Sequence, residues 1–266
     1  MIDAVIPVPL DPTLKLGPLE IAWHGLMTAV GIGVGAILAL RFARERDLSG
    51  DRIFELVLII AVTGIVGARL LYLLEHDAGA VFEPARWLSS RGYSFYGALI
   101  VGPVAVALYL RLTRSGLSYL DALAAGFGLA MAVGRVGDVI SGEHFGPPST
   151  LPWAIQYSDP DAEVPTTDAA YHPGGLYEAV VGLLVFAVVW PLRDRFRTPG
   201  VLFATVVALY SLGRFFIFFV RSDSAELAGG LSNSQWISLG LAAASLAAIA
   251  WLRRRSRVAS PEPTRA

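Results

Sequence analysis

Charged side chains recur in this chain inside stretches that are otherwise apolar, and they are its first candidates for chemistry. The set is Glu55, Arg69, Glu75, Asp121, Arg135, Asp138, Glu178 and Arg214. A charge placed in hydrocarbon costs about 2.5–3.5 kcal/mol on insertion scales, so each one needs a partner or a task. Glu55, Glu75 and Asp121 fall near the ends of their stretches, where a side chain can snorkel to water and serve structure alone. Arg69, Arg135 and Arg214 do not. None of the three has an acid four residues away, although Asp138 follows Arg135 by three and shares its helical face. A guanidinium is planar, permanently charged and able to hold two oxygens at once, which suits a phosphodiester. The competing account is a buried ion-pair network that fixes helix packing.

Composition says what must position these groups. Of 266 residues, 55% are hydrophobic and 16% are charged, and the mean hydropathy is +0.57. An average soluble domain is about 25% charged, so a polytopic, all-α membrane protein is expected. Disorder is excluded by the wealth of apolar material. A net charge of −1 argues against a nucleic-acid partner. The chain has no cysteine, which removes disulfides, thiolate metal sites and a cysteine nucleophile of its own.

A bilayer core takes about 20 apolar residues per helix. Seven segments qualify, at 21–42, 53–75, 94–112, 120–140, 175–192, 200–220 and 235–252. No signal peptide is expected before them, since residues 1–20 set Asp3, Asp11 and Glu20 against the single Lys15. With the N-terminus outside, the inner segments hold Arg41, Arg44, Arg46 and Arg52; Arg111 and Arg114; Arg193, Arg195 and Arg197; and Arg253, Arg254, Arg255, Arg257 and Arg265. The outer segments hold only Lys15, Arg86, Arg91 and Arg221. That asymmetry predicts an external N-terminus and a cytoplasmic C-terminus. Residues 1–252 are read as one transmembrane domain and 253–266 as a basic cytoplasmic tail. Gly31-x-x-x-Gly35 permits close helix packing. The outer connection 141–174, with six prolines and no Lys or Arg, is long enough to carry function.

This topology gathers the polar residues at one depth. Arg69, Arg135 and Arg214 fall in outer halves of their spans and Arg221 at the outer rim. His24, Tyr96, Asp138, Glu143, His172, Tyr177 and Glu178 lie toward the same side. A phospholipid headgroup in the outer leaflet sits there too. A retinal protein needs a lysine within a span, and the chain has only Lys15. A transporter would show repeats or broken spans near the midplane.

The segment Gly134-Arg135-Val136-Gly137-Asp138-Val139-Ile140-Ser141-Gly142-Glu143-His144-Phe145-Gly146 resembles the signature of prolipoprotein diacylglyceryl transferases, roughly G-R-x-G-N-F-x-N-x-E-x-x-G. Trp23-His24-Gly25-Leu26, Gly67-Ala68-Arg69-Leu70, Gly92-Tyr93-Ser94-Phe95-Tyr96-Gly97, His172-Pro173-Gly174-Gly175-Leu176-Tyr177-Glu178, Gly213-Arg214-Phe215 through Arg221-Ser222-Asp223, and Ser234-Gln235-Trp236 resemble further pieces in the family's order. The departures are specific. Tyr96 stands where the family carries histidine, His24 where it carries tyrosine, Asp138 where it carries asparagine, and Phe218 where it carries glutamate. Either Ser141 or Gly142 takes the place of the second asparagine.

The resemblance implies transfer of the diacylglyceryl group of phosphatidylglycerol to the lipobox cysteine thiol of a preprolipoprotein, in a bacterial cytoplasmic (inner) membrane. A thioether forms and glycerol 1-phosphate leaves, with neither a metal nor an organic cofactor. The implied catalytic residues are Arg135, Arg214, Glu143, His24 and Tyr96. Phosphatidylglycerol would be bound by Arg135, Arg214, Arg69, Arg221, Asp138 and Tyr177. A paralogue that binds anionic lipid without this activity, or transfers to another acceptor, is the alternative.

Overall fold

The computed structural model describes residues 5–17, 19–87, 92–222 and 224–258. Asp3, Arg91, Asp223, Arg265 and the rest of the tail past residue 258 lie outside the described residues. Helices dominate: α1 (Trp23–Glu45), α2 (Gly50–His76), α3 (Pro84–Trp87), α4 (Phe95–Leu112), α5 (Ser118–Ala125), α6 (Phe127–Ser141), α7 (Gly174–Leu192), α8 (Val201–Ile217) and α9 (Asn233–Val258). Every apolar segment expected from the sequence falls on helix. Four helices among the described residues, α1, α2, α7 and α9, are long and apolar enough to cross a bilayer, while α4 and α8 are apolar but shorter. Their outward faces carry exposed Ile37, Leu184 and Leu246, side chains that suit lipid rather than water.

One expectation is corrected. Segment 120–140 is not one straight span but the pair α5 and α6, bent by 44°. The break falls at Gly126, glycine being the poorest helix former after proline. A few short strands accompany the helices. Strand β1 (Ile6–Val8) pairs in parallel with β4 (Ile155–Tyr157), which pairs antiparallel with β5 (Ala170–Tyr171). Hairpins form from β2 (Thr13–Leu16) with β3 (Leu19–Ala22), and from β6 (Glu226–Ala228) with β7 (Leu231–Ser232). Alternation of buried Ile155, half-buried Gln156 and buried Tyr157 inside the proline-rich loop is a strand signal on a scale of three residues.

The helices segregate into two compact units, one comprising Met1–Phe42 with Leu120–Ala266 and the other Ala43–Tyr119. The first has Phe42, Val189, Val201 and Leu202 in its core, and the second has Ile53 and Leu56. In the first unit Gly31 and Gly35 of α1 both face Ala130 of α6, the close packing read from their spacing. Asp121 is buried rather than snorkelling. Its carboxylate accepts from the amides of Gly200 and Phe203 at 2.8 Å each, which caps the start of α8.

Candidate active site

Helix α6 carries the centre of the site, because Arg135 and Asp138 stand one turn apart on its inner face. Two glycines bring other helices against that face. A Cβ at Gly137 would come within 2.6 Å of the Trp23 carbonyl oxygen and 2.7 Å of His24 Cα, so only glycine lets the start of α1 lie here. A Cβ at Gly175 would come within 3.0 Å of Asp138 Cβ, so the start of α7 is seated against the same turn. The first contact delivers His24 and the second delivers Glu178. Past the left-handed Gly142 that ends α6, the chain turns back and supplies Glu143 and His144.

Glu178 is fully buried and collects three guanidiniums. Arg135 Nη2 lies 2.5 Å from its Oε2, while Arg221 Nη1 at 2.8 Å and Arg214 Nη1 at 3.2 Å share its Oε1. Arg135 Nη1 also donates to Asp138. Three cations thus face two carboxylates in a region largely withdrawn from water. Phe218 is buried beside the same arginines. The centres of the Arg221 and Arg214 guanidiniums lie 4.5 and 5.1 Å from its ring, within cation–π range. Arg135 Nε is buried with no hydrogen-bond partner, so this guanidinium retains donor capacity.

Asp138 is almost completely buried and accepts on both oxygens. His24 Nδ1 lies 2.6 Å from its Oδ1, and His144 Nδ1 lies 2.9 Å from its Oδ2 beside Arg135. His24 Nδ1 also stands 3.0 Å from Glu143 Oε2. His24, Asp138 and Glu143 bring one nitrogen and two oxygens within 4.8 Å of one another, a spacing that a divalent cation also accepts. A cation there would sit beside Arg135 and displace donors already in place, so the group is read as hydrogen-bonded rather than as ligands.

Arg135, Arg214, Arg221, Asp138, Glu143 and His24 therefore meet in one cluster. Tyr177 does something different, accepting from Trp153 Nε1 and pairing with His172 Nδ1, both at 2.9 Å, which ties α7 to the proline-rich loop. Tyr157 closes the same loop onto α6 by donating to the Val139 carbonyl at 2.9 Å. Burial pushes its hydroxyl above the ordinary tyrosine value, so it remains a donor. Arg69 and Tyr96 belong to the other unit. Arg69 Nη1 donates to the Gly92 carbonyl at 2.6 Å, and Nε and Nη2 donate to that of Arg86. Tyr96 is half-buried in the first turn of α4.

Two members of the cluster were not named as site residues from sequence. Glu178 stood out only as one charge within a span, yet three in-span or rim arginines needed an acid. His144 carried no signal, since it occupies an unspecified position of the signature.

Comparison with known proteins identifies the family. Residues 12–251 match the family described as prolipoprotein diacylglyceryl transferase. Phosphatidylglycerol–prolipoprotein diacylglyceryl transferase of Trichormus variabilis is 32% identical, with 94% of each chain covered. The protein of that name from Thermosynechococcus vestitus is 34% identical over 85% of this chain and 87% of its own. The one from Paenarthrobacter aurescens is 33% identical over 96% and 86%.

Proposed function

The chain belongs to the prolipoprotein diacylglyceryl transferase family, and from that premise we propose how its own residues carry the reaction. It is a membrane transferase acting on phosphatidylglycerol and a prolipoprotein. The acceptor is the lipobox cysteine thiol, and the reaction takes place at the outer side of a bacterial cytoplasmic membrane. Seven spans with the N-terminus outside and the C-terminus inside fit the arginine distribution.

The observation that carries this reading is the convergence of Arg135, Arg214 and Arg221 on Glu178. Three guanidiniums converging on the single carboxylate of Glu178 form a cluster of planar, permanently charged donors, the kind that suits the two oxygens of the lipid's phosphodiester. Arg135 and Arg214 hold the phosphate, with Arg221 behind them. As the glyceryl C–O bond breaks, charge grows on the departing phosphate, and donors already in place stabilise it without reorganising. His24 stands at the margin of the cluster to take the thiol proton, and Glu143 orients the glycerol hydroxyls or an arginine. Asp138 already accepts from His24, His144 and Arg135, which fits an orienting role better than contact with lipid.

The test uses the full chain in nanodiscs containing phosphatidylglycerol and a synthetic lipobox peptide. Expected are a peptide mass gain of one diacylglyceryl group and release of one equivalent of glycerol phosphate. Bound lipid with no thioether formed would overturn the transfer reading in favour of a lipid-binding paralogue.

A further inference from the structure

Asp138 is where side chains from three parts of the chain meet, and hydrogen-bond chemistry restricts how they do so. A carboxylate only accepts, so at 2.6 Å from Oδ1 and 2.9 Å from Oδ2 both His24 and His144 must carry a hydrogen on Nδ1. Arg135 Nη1 approaches His144 Nδ1 to 3.2 Å. Arginine cannot accept, so these are two donors side by side, drawn to the same oxygen. With Nδ1 committed, each ring keeps Nε2 as the nitrogen available for proton transfer.

The placement of His144 is specific. It has φ of 60°, a left-handed conformation uncommon for a residue with a side chain. Its neighbour Glu143 turns back to His24 Nδ1 at 3.0 Å, so adjacent residues engage the two ends of one arrangement. The His24 side chain is 42% exposed and that of His144 25%, which makes His24 the ring better placed to meet substrate. The other charged groups facing the pair are Arg135 and Glu143, with Glu178 behind Arg135.

We propose that His24, Asp138 and His144 form one proton-holding centre, in which His24 is the catalytic base and Asp138 and His144 are positioning residues. His144 and Arg135 fasten Asp138 Oδ2, Oδ1 then fixes the His24 ring, and Nε2 of His24 faces the thiol. The step balances. The S–H bond breaks and its proton moves to His24 Nε2; sulfur bonds to the glyceryl carbon as the C–O bond breaks and its electron pair goes to the phosphate oxygen. The proton then leaves Nε2 for that phosphate, which restores the neutral ring and completes glycerol 1-phosphate. The proton step rests on the transfer reading above, whereas the ring geometry does not.

The experiment combines ¹⁵N-histidine NMR of the full chain in nanodiscs with turnover on phosphatidylglycerol and a lipobox peptide. His24 and His144 are expected to show Nδ1–H in the wild type. His144→Leu should admit the Nε2–H tautomer of His24 and lower kcat about tenfold with KM nearly unchanged, whereas His144→Asn, which keeps a donor in place of Nδ1, should retain most of kcat. A His24 ring carrying hydrogen on Nε2 in the wild type, alone or together with Nδ1–H, would overturn its assignment as the base, even if His144→Leu failed to fold. Full kcat in His144→Leu would remove His144 from the centre. Loss of wild-type turnover to a chelator, with recovery on adding zinc, would replace the proposal by a metal site. A wild type that transfers nothing sinks the function and the proton step together, while the ring signals still decide the arrangement around Asp138.

Discussion

Each compact unit buries an arginine within an apolar helix, and the two are satisfied by different kinds of oxygen. Arg69 of α2 is 4% exposed and directs its donors at main-chain carbonyls of Arg86 and Gly92, with Tyr72 and Tyr93 rings 5.4 and 5.7 Å from its centre. Arg135 of α6 directs its donors at two carboxylates, which also hold Arg214, Arg221, His24 and His144. A carbonyl is neutral and fixed in the chain, so Arg69 pins a loop to its helix. Carboxylates shared among several cations form a network whose charge an arriving anion can alter. Residue type and depth alone do not separate these two arginines; their partners do.

The largest effect is expected where one group holds several others. Removing the Glu178 carboxylate leaves three guanidiniums without their shared partner, and breaking a buried pair costs about 3–5 kcal/mol. Glu178→Ala should therefore abolish folded protein in the membrane, measured by monodisperse yield in detergent. A normal yield would mean that water or lipid already neutralises these arginines, and the contrast with Arg69 would lose its basis.

Next in size is Arg135→Lys, which keeps the charge and loses the planar fork. Turnover per folded molecule should fall about a hundredfold, the scale of removing one preorganised donor to a transition state. Unchanged turnover would return Arg135 to the same structural class as Arg69.

Much of this was legible in the sequence. Charges within apolar stretches marked the arginines because hydrocarbon makes every charge conspicuous. The motif at Gly134–Gly146 ordered the site along one helix. Apolar length found the long helices but not the short α3, and it could not place the α5–α6 bend at Gly126, since an apolar run reads the same across a break. The grouping of Arg69 with Arg135 came from shared type and depth, and main-chain carbonyls have no sequence signature to warn otherwise. Glu178 as the common partner depends on long-range contacts made through Gly175, and His144 reaches Asp138, six residues earlier, only because of the left-handed turn after Gly142, which residue types alone do not announce.

His24 and Tyr96 extend the comparison to the exchanged identities of a histidine and a tyrosine. A neutral imidazole can accept a thiol proton, while a phenol is a far poorer base. His24→Ala should lower kcat about tenfold or more, and Tyr96→Phe by no more than about threefold. Equal losses would place proton transfer outside the cluster around Asp138. A smaller loss is expected of Arg69→Lys, which should reduce stability by about 1–3 kcal/mol as carbonyl partners go unpaired. Its turnover per folded molecule should stay within about twofold, and a hundredfold fall would instead make Arg69 a phosphate ligand.

The smallest effects concern the aromatic faces, which both units place beneath guanidiniums. Two of them stand near the Phe218 ring, and Arg69 stands near two rings. The attraction in each case comes from the ring quadrupole and is worth about 0.5–2 kcal/mol, more when desolvated. Leucine keeps most of the apolar bulk and removes the quadrupole. Tyr72→Leu should therefore cost about 1 kcal/mol of stability with turnover intact, because Arg69 donates to the main-chain carbonyls of Arg86 and Gly92. Phe218→Leu should cost a similar amount, but it also frees Arg214 and Arg221 to shift toward Glu178. If those guanidiniums are set for phosphate, KM for phosphatidylglycerol should rise about threefold, while the kcat set by Arg135 and His24 stays near wild type. Titrating phosphatidylglycerol in nanodiscs against both variants separates the outcomes. A KM rise in Tyr72→Leu matching that in Phe218→Leu would mean that the ring contact is generic packing and that Phe218 does not set the phosphate site.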